Sequence, residues 1–88
     1  MRYELPEVLT RVAFKVDFYR GEDGWWIAEC EDVPGAVTQG ETLEEAREMI
    51  RDALGLMLED YSEEEARQLA QDIEKRYLQP HSENLTVV

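Results

Sequence analysis

Residues 22–46 read Glu-Asp-Gly-Trp-Trp-Ile-Ala-Glu-Cys-Glu-Asp-Val-Pro-Gly-Ala-Val-Thr-Gln-Gly-Glu-Thr-Leu-Glu-Glu-Ala, and this stretch decides the fold. The segment Trp25–Cys30 is rich in aromatic and β-branched residues, which favours a strand. Val33–Gly35 then forms a corner, because proline fixes φ and glycine tolerates positive φ. Thr42–Glu45 has capping-box spacing and predicts the start of a helix. The residues with structural roles in this stretch are Gly24, Pro34, Gly35, Gly40, Thr42 and Glu45.

Two strands and a hairpin precede that corner. Residues 11–20 alternate between apolar and polar, a period of two that predicts a half-buried antiparallel strand. Gly21–Gly24 predicts a hairpin connection of about four residues to the second strand. That strand is expected to point Trp26, Ala28 and Cys30 into the core, since its other side carries Glu29. Trp25 then belongs to the less buried face, because adjacent tryptophans cannot both enter one core layer.

The second half of the chain is predicted to be helical after a short third strand at Ala36–Gln39. A helix from Leu43 to about Asp60 carries a broad apolar stripe. A second capping box opens another helix over residues 62–77, and residues 84–88 can add a short edge strand. Met49 and Leu56 lie outside the apolar stripe of the first helix. They pack against the next helix or contact a partner or a second copy, and the sequence leaves both interpretations open.

These elements predict one α+β domain over residues 1–88. Their order is β-β-β-α-α-β, which corresponds to a small antiparallel sheet of three to four strands with helices on one face. No internal repeat or flexible linker divides the chain. The first ten residues are weakly patterned, and we predict a loop, a frayed strand or one helical turn there.

Charge is the most informative bulk property of the chain. The 9 Lys and Arg against 21 Asp and Glu give a net charge of −12, which repels phosphate backbones and attracts a basic protein. Acidity also keeps a small protein in solution, without any partner. We expect neither nucleic-acid binding by this chain alone nor a membrane span, for which about 20 consecutive apolar residues are needed. The lone Cys30 excludes an intrachain disulfide and indicates a cytoplasmic location.

The sequence contains few of the residue patterns that enzymes use for catalysis. One histidine far from Cys30, no phosphate-binding glycine loop and no zinc-ligand spacing argue against catalytic residues, cofactors or a metal. The remaining alternative is a metal-dependent nuclease. In that hypothesis Asp17, Glu29 and either Glu45 or Glu48 converge as oxygen ligands for Mg²⁺. With 21 acidic residues, some carboxylates also meet by chance.

The stretch from Asp23 to Ala46 closely resembles the signature of the HicB-like antitoxin family. That signature runs aspartate-glycine-aromatic, then Pro-Asp-Leu-Pro-Gly, then Thr-x-Gly-Asp/Glu-Thr-x-Glu-Glu-Ala. The preceding alternating strand and the following helix also match, so the resemblance covers about residues 12–58. The positions that match the signature are Asp32, Pro34, Gly35, Gly40, Thr42, Glu45 and Ala46.

The resemblance implies a partly degraded RNase H-like fold without nuclease activity. It also implies an antitoxin that binds and blocks HicA, a small basic mRNA interferase. Two features depart from the family pattern: Glu31 replaces the first proline, and residues 59–88 contain no basic recognition helix. We therefore expect this chain to resemble a solitary N-terminal-type HicB domain, without operator binding of its own.

Three hypotheses follow. The favoured one is a non-catalytic antitoxin that covers a HicA-type toxin through Trp25, Glu29, Glu31 and Asp32. The same residues could instead be a solvated strand end. The second hypothesis is a stand-alone homo-oligomer with an unrelated protein partner, in which Met49 and Leu56 contact another copy. The third is the Mg²⁺-dependent nuclease.

Overall fold

The computed structural model describes residues 3–77 and has the expected α+β architecture. A three-stranded antiparallel sheet is followed by two helices. A short 3₁₀ turn, Glu7–Thr10, precedes the sheet, so the helical-turn alternative for the first ten residues is confirmed. The strands are β1 (Val16–Arg20), β2 (Trp26–Cys30) and β3 (Val37–Gly40); the helices are α1 (Leu43–Glu59) and α2 (Glu63–Tyr77). The predicted edge strand at 84–88 lies outside the described residues.

The sheet has the order β1-β2-β3, with β2 in the centre. Val16 pairs with Cys30 and Phe18 with Ala28, while Ala28 pairs on its other side with Thr38. Trp26, Ala28 and Cys30 face the core as predicted: Ala28 and Cys30 are buried and Trp26 packs against them. This side, which we call the covered face, packs against α1.

The predicted first strand begins too early, and residues 11–14 are not part of β1. The backbone N–H of Lys15 donates to the Asp32 carboxylate at 2.8 Å, and the Ala13 carbonyl accepts from Arg76 at 3.2 Å. These bonds direct the chain towards α2 before β1 starts. The apolar alternation continues through Val12 and Phe14, because both still pack into the core or against it.

Helix α1 is held against the sheet by a capped start and a close backbone approach. Thr42 Oγ1 accepts from the Glu45 N–H at 3.0 Å, and the Glu45 carboxylate accepts from the Glu41 N–H at 3.0 Å. This confirms the predicted cap. A Cβ on Gly40 would lie 2.5 Å from the backbone nitrogen of Ala46, so only glycine permits this contact between β3 and α1.

Helix α2 packs against the 3₁₀ turn and closes the core from the side. Its capping box is reciprocal: the Ser62 N–H donates to Glu65 at 2.9 Å, and the Glu65 N–H donates to Ser62 at 3.1 Å. These bonds to Ser62 lower the pKa of Glu65. Its inner residues join one hydrophobic core with the sheet and α1. No helix within residues 3–77 has the length and apolarity to cross a membrane.

Candidate protein-docking surface

The side of the sheet turned away from α1 is the candidate functional site. Strand alternation places every second residue of the three strands on it, and Trp25, immediately before β2, falls on the same side. No described element packs over this surface, which we call the open face. Its members are Asp17, Tyr19, Trp25, Ile27, Glu29, Val37 and Gln39.

Large apolar side chains are exposed at the open face. Tyr19 is 46% exposed, Trp25 37% and Val37 52%. By contrast, Ala28 of β2 points to the covered face and is fully buried. Trp25 is placed by the hairpin, where its N–H donates to the Asp23 carboxylate at 3.0 Å. Aromatic groups held on a rigid strand lose little entropy when a partner covers them. The open face therefore has the composition of a protein-docking surface.

Two acidic residues are paired across the middle of this face. Asp17 and Glu29 are directly opposite each other on β1 and β2, an arrangement of like charges that disfavours strand pairing. The Tyr19 hydroxyl donates to Glu29 at 3.1 Å, and this bond is the main reason why the pKa of Tyr19 is raised. A cationic side chain from a partner would relieve the repulsion. The electrostatics of the open face thus favour a basic ligand.

Glu31 and Asp32, the two other predicted docking residues, differ in their surroundings. Glu31 lies at the border of the open face and pairs with Lys15, with 2.9 Å between Oε2 and Nζ. This contact raises the pKa of Lys15. Asp32 is instead largely buried, with a side chain that is only 10% exposed. Its carboxylate accepts a hydrogen bond from the backbone N–H of Lys15 and forms an ion pair with Arg76. Asp32 therefore ties α2 to the start of β1, and its contact with a partner stays a prediction.

The acidic set of the nuclease hypothesis is not assembled. Asp17 and Glu29 lie on the open face, whereas Glu45 and Glu48 belong to α1 on the opposite side of the sheet. Among the described residues, no group of three or more potential ligands is close enough to hold a metal ion. Cys30 is buried, and burial raises the pKa of its thiol, which keeps it protonated.

Met49 and Leu56 project from α1 into solvent, 48% and 54% exposed. The interpretation that they pack against the next helix is wrong, because both side chains are about half exposed. Their role in an oligomer stays a prediction. Gly24 and Gly35 have positive φ of 85° and 93°, which only glycine adopts without strain, and their structural roles agree with the sequence.

Sequence reasoning placed Tyr19 and Ile27 on the outer side of their strands but did not name them as docking residues, and it did not place Val37. The signal for Tyr19 and Ile27 was present, since strict alternation assigns them to the side opposite Phe18 and Ala28. Val37 could not be placed, because a strand of four residues gives too short a pattern to fix its register.

Two comparisons with known proteins found relatives of this chain. Residues 12–87 match the model of a domain of unknown function designated DUF1902. The chain is also 40% identical over 60 residues to the UPF0150 protein ssl0738 of Synechocystis sp., which covers 67% of this chain and 83% of that protein. No solved structure gives a significant match. The chain therefore belongs to the DUF1902 family and is related to the UPF0150 proteins, both uncharacterised.

Proposed function

We propose that the chain is a non-catalytic, antitoxin-like binding protein. It neutralises a small basic HicA-type mRNA interferase by covering the RNA-binding surface of that toxin, in the cytoplasm where mRNA is cleaved. The observation that carries this proposal is the open face, where exposed Tyr19, Trp25 and Val37 surround the opposed carboxylates Asp17 and Glu29. The resemblance of residues 12–58 to HicB-like antitoxins supports the choice of partner, and the DUF1902 match includes that whole region.

Charge supports the choice of a basic partner over nucleic acid. A chain with net charge −12 accelerates its encounter with a cationic protein and repels RNA. Once docked, arginine or lysine side chains of the toxin would lie between Asp17 and Glu29, where they replace the contacts that the toxin makes with RNA phosphates. Trp25 would supply the aromatic anchor at the rim of the same surface. Competition for one basic surface is thus sufficient for inhibition, and no chemical step is required.

Coexpression with a HicA-type interferase tests the proposal. We expect the two proteins to copurify and the complex to leave RNA uncleaved, with affinity falling as salt rises. Glu29→Lys should abolish protection, because it reverses the charge at the centre of the open face. Glu74→Lys makes the same charge change on exposed α2 and serves as the matched control. Absence of a complex with the wild-type chain, or equal loss of protection in both variants, would contradict the proposal.

A further inference from the structure

The backbone edge of β3 and the adjacent side of α1 form a second surface, distinct from the side chains of the open face that the proposed function uses. β3 is an edge strand, with β2 on one side and no described strand on the other. The Cys30 N–H donates to the Ala36 carbonyl at 3.0 Å, so Ala36, Thr38 and Gly40 direct their backbone groups towards β2. Alternation then points the Gln39 N–H and the Val37 carbonyl outward.

This edge lacks the usual protection against strand pairing. Val37–Gly40 contains no charged residue and no proline, the devices by which edge strands avoid further pairing. The other edge strand, β1, carries Asp17 and Arg20 within its five residues. Among the strands within residues 3–77, β3 therefore has the edge that is less protected against pairing with another strand.

The exposed apolar flank of α1 lies on the same side of the molecule. Arg47 reaches towards β1, where its guanidinium is 5.7 Å from the Phe18 ring, whereas Ala46 contacts Gly40 of β3. Successive residues of a helix are rotated by about 100° around its axis. Relative to Ala46, this rotation turns Ala53, Met49 and Leu56 progressively further from the side of the helix that faces β1. They are spaced i, i+4 and i+7, and the small Ala53 in the centre lets another helix approach closely. A helix flank and a strand edge thus form one continuous strip.

We propose that this strip joins two copies of the chain into a symmetric dimer, independently of the proposed function. A two-fold axis at Thr38 pairs β3 antiparallel with its counterpart. The Gln39 N–H of each copy then donates to the Val37 carbonyl of the other, which forms a continuous six-stranded sheet. Strands about 4.8 Å apart bring the two α1 helices, which lie over β3 and β2, to about the 8–10 Å of helix packing. Met49, Ala53 and Leu56 then meet their own counterparts.

The composition of the strip favours a second copy as the occupant. The strip members are uncharged, unlike the open face, so the strip matches an identical strip better than a basic protein. The strip runs along α1, a helix of 17 residues that is about 25 Å long. We therefore expect a reversible dimer.

Sedimentation equilibrium over a concentration series tests the dimer. The mass should rise from that of one chain to twice that value, and added salt should strengthen the association because it screens repulsion between two acidic copies. A basic partner would show the opposite salt dependence. Leu56→Glu and Met49→Glu should each weaken the dimer at least tenfold. Val8→Glu, an equivalent change at a 37% exposed valine on the 3₁₀ turn, should not.

Hydrogen exchange at the Gln39 amide supplies the second readout. Its protection should increase with protein concentration in the wild type and remain low in Leu56→Glu. Three results would overturn the proposal: a monomeric mass at all concentrations, a dimer that is insensitive to both glutamate variants, or a Gln39 amide already protected in the monomer. The last result would place another segment of the same chain on the β3 edge. Since no toxin is present, failure here leaves the proposed function unaffected.

Discussion

The two faces of the sheet are formed by the same three strands but serve different purposes. On the covered face Val16, Ala28 and Cys30 are at most 5% exposed, and Gly40 admits the backbone of α1. On the open face Tyr19 and Val37 are about half exposed, beside the opposed carboxylates. Helix packing explains the composition of the covered face. Folding alone does not explain aromatic groups beside a like-charge pair, so the open face is the one that a partner should select.

The largest expected effect belongs to the covered face. Gly40→Ala places a Cβ 2.5 Å from the Ala46 nitrogen, and backbone atoms cannot move aside as a flexible side chain can. We expect the free energy of unfolding to fall by about 3 kcal/mol. Gln39→Ala, one residue earlier on the open face, should change it by no more than about 0.5 kcal/mol. Urea unfolding measures both, and similar losses would contradict the difference between the faces.

The adjacent tryptophans should separate stability from binding. Trp26 packs on the core with the Arg20 guanidinium 5.0 Å from its ring, so Trp26→Ala should cost about 2–3 kcal/mol of stability. Trp25→Ala should cost less than about 1 kcal/mol, because the side chain is exposed. In a pull-down with a HicA-type protein, however, Trp25→Ala should lose most of the binding. A Trp25→Ala variant that binds normally would remove Trp25 from the docking surface.

Two acidic residues three positions apart should behave in opposite ways. Asp32→Asn weakens the pair with Arg76 and should lower the free energy of unfolding by about 2 kcal/mol. Glu29→Gln removes a charge directly opposite Asp17 and should leave stability unchanged or slightly higher. Binding should show the reverse order, with Glu29→Gln the more damaging. Urea unfolding and the same pull-down would decide, and a destabilised Glu29→Gln would count against this division of roles.

The smallest effect concerns the titration of Tyr19. Its pKa is raised above the ordinary value of 10.0 mainly by its hydrogen bond to Glu29, so Glu29→Gln should lower it towards that value. A raised pKa in the folded state contributes stability at pH below about 10, and this contribution is lost as the pH rises through the raised value. NMR titration of the assigned Tyr19 ring measures the change. An unchanged Tyr19 pKa in the variant would mean that this hydrogen bond is not formed in solution.

Much of the fold was predictable because local chemistry specifies it. The hairpin, both helix caps and the inward direction of Trp26 depend on residues close in sequence, and the structure confirms them. The start of β1 was not predictable. An alternating pattern shows which side chains are apolar, but it does not show whether the backbone pairs with another strand. The apolar residues before β1 pack in or against the core although their backbone is not hydrogen-bonded into the sheet.

The candidate site was predictable only in part. Trp25 and Glu29 were assigned to the outer side from alternation, and they do lie on the open face. The inward engagement of Asp32 was missed, because Arg76 is separated from it by 44 residues and no local pattern links them. The RNase H-like likeness and the partner stay predictions, since the sequence names them only by resemblance.

The most direct test of the central claim is an NMR titration of the isotope-labelled chain with a HicA-type interferase. We predict that the largest shifts fall on Tyr19, Ile27, Glu29 and Val37 and on the indole N–H of Trp25, and that they weaken as salt is added. Residues on the covered face, such as Ala28, should respond only slightly. Shifts confined to Met49 and Leu56 on α1, or no shifts at all, would contradict the assignment of the open face as the docking surface.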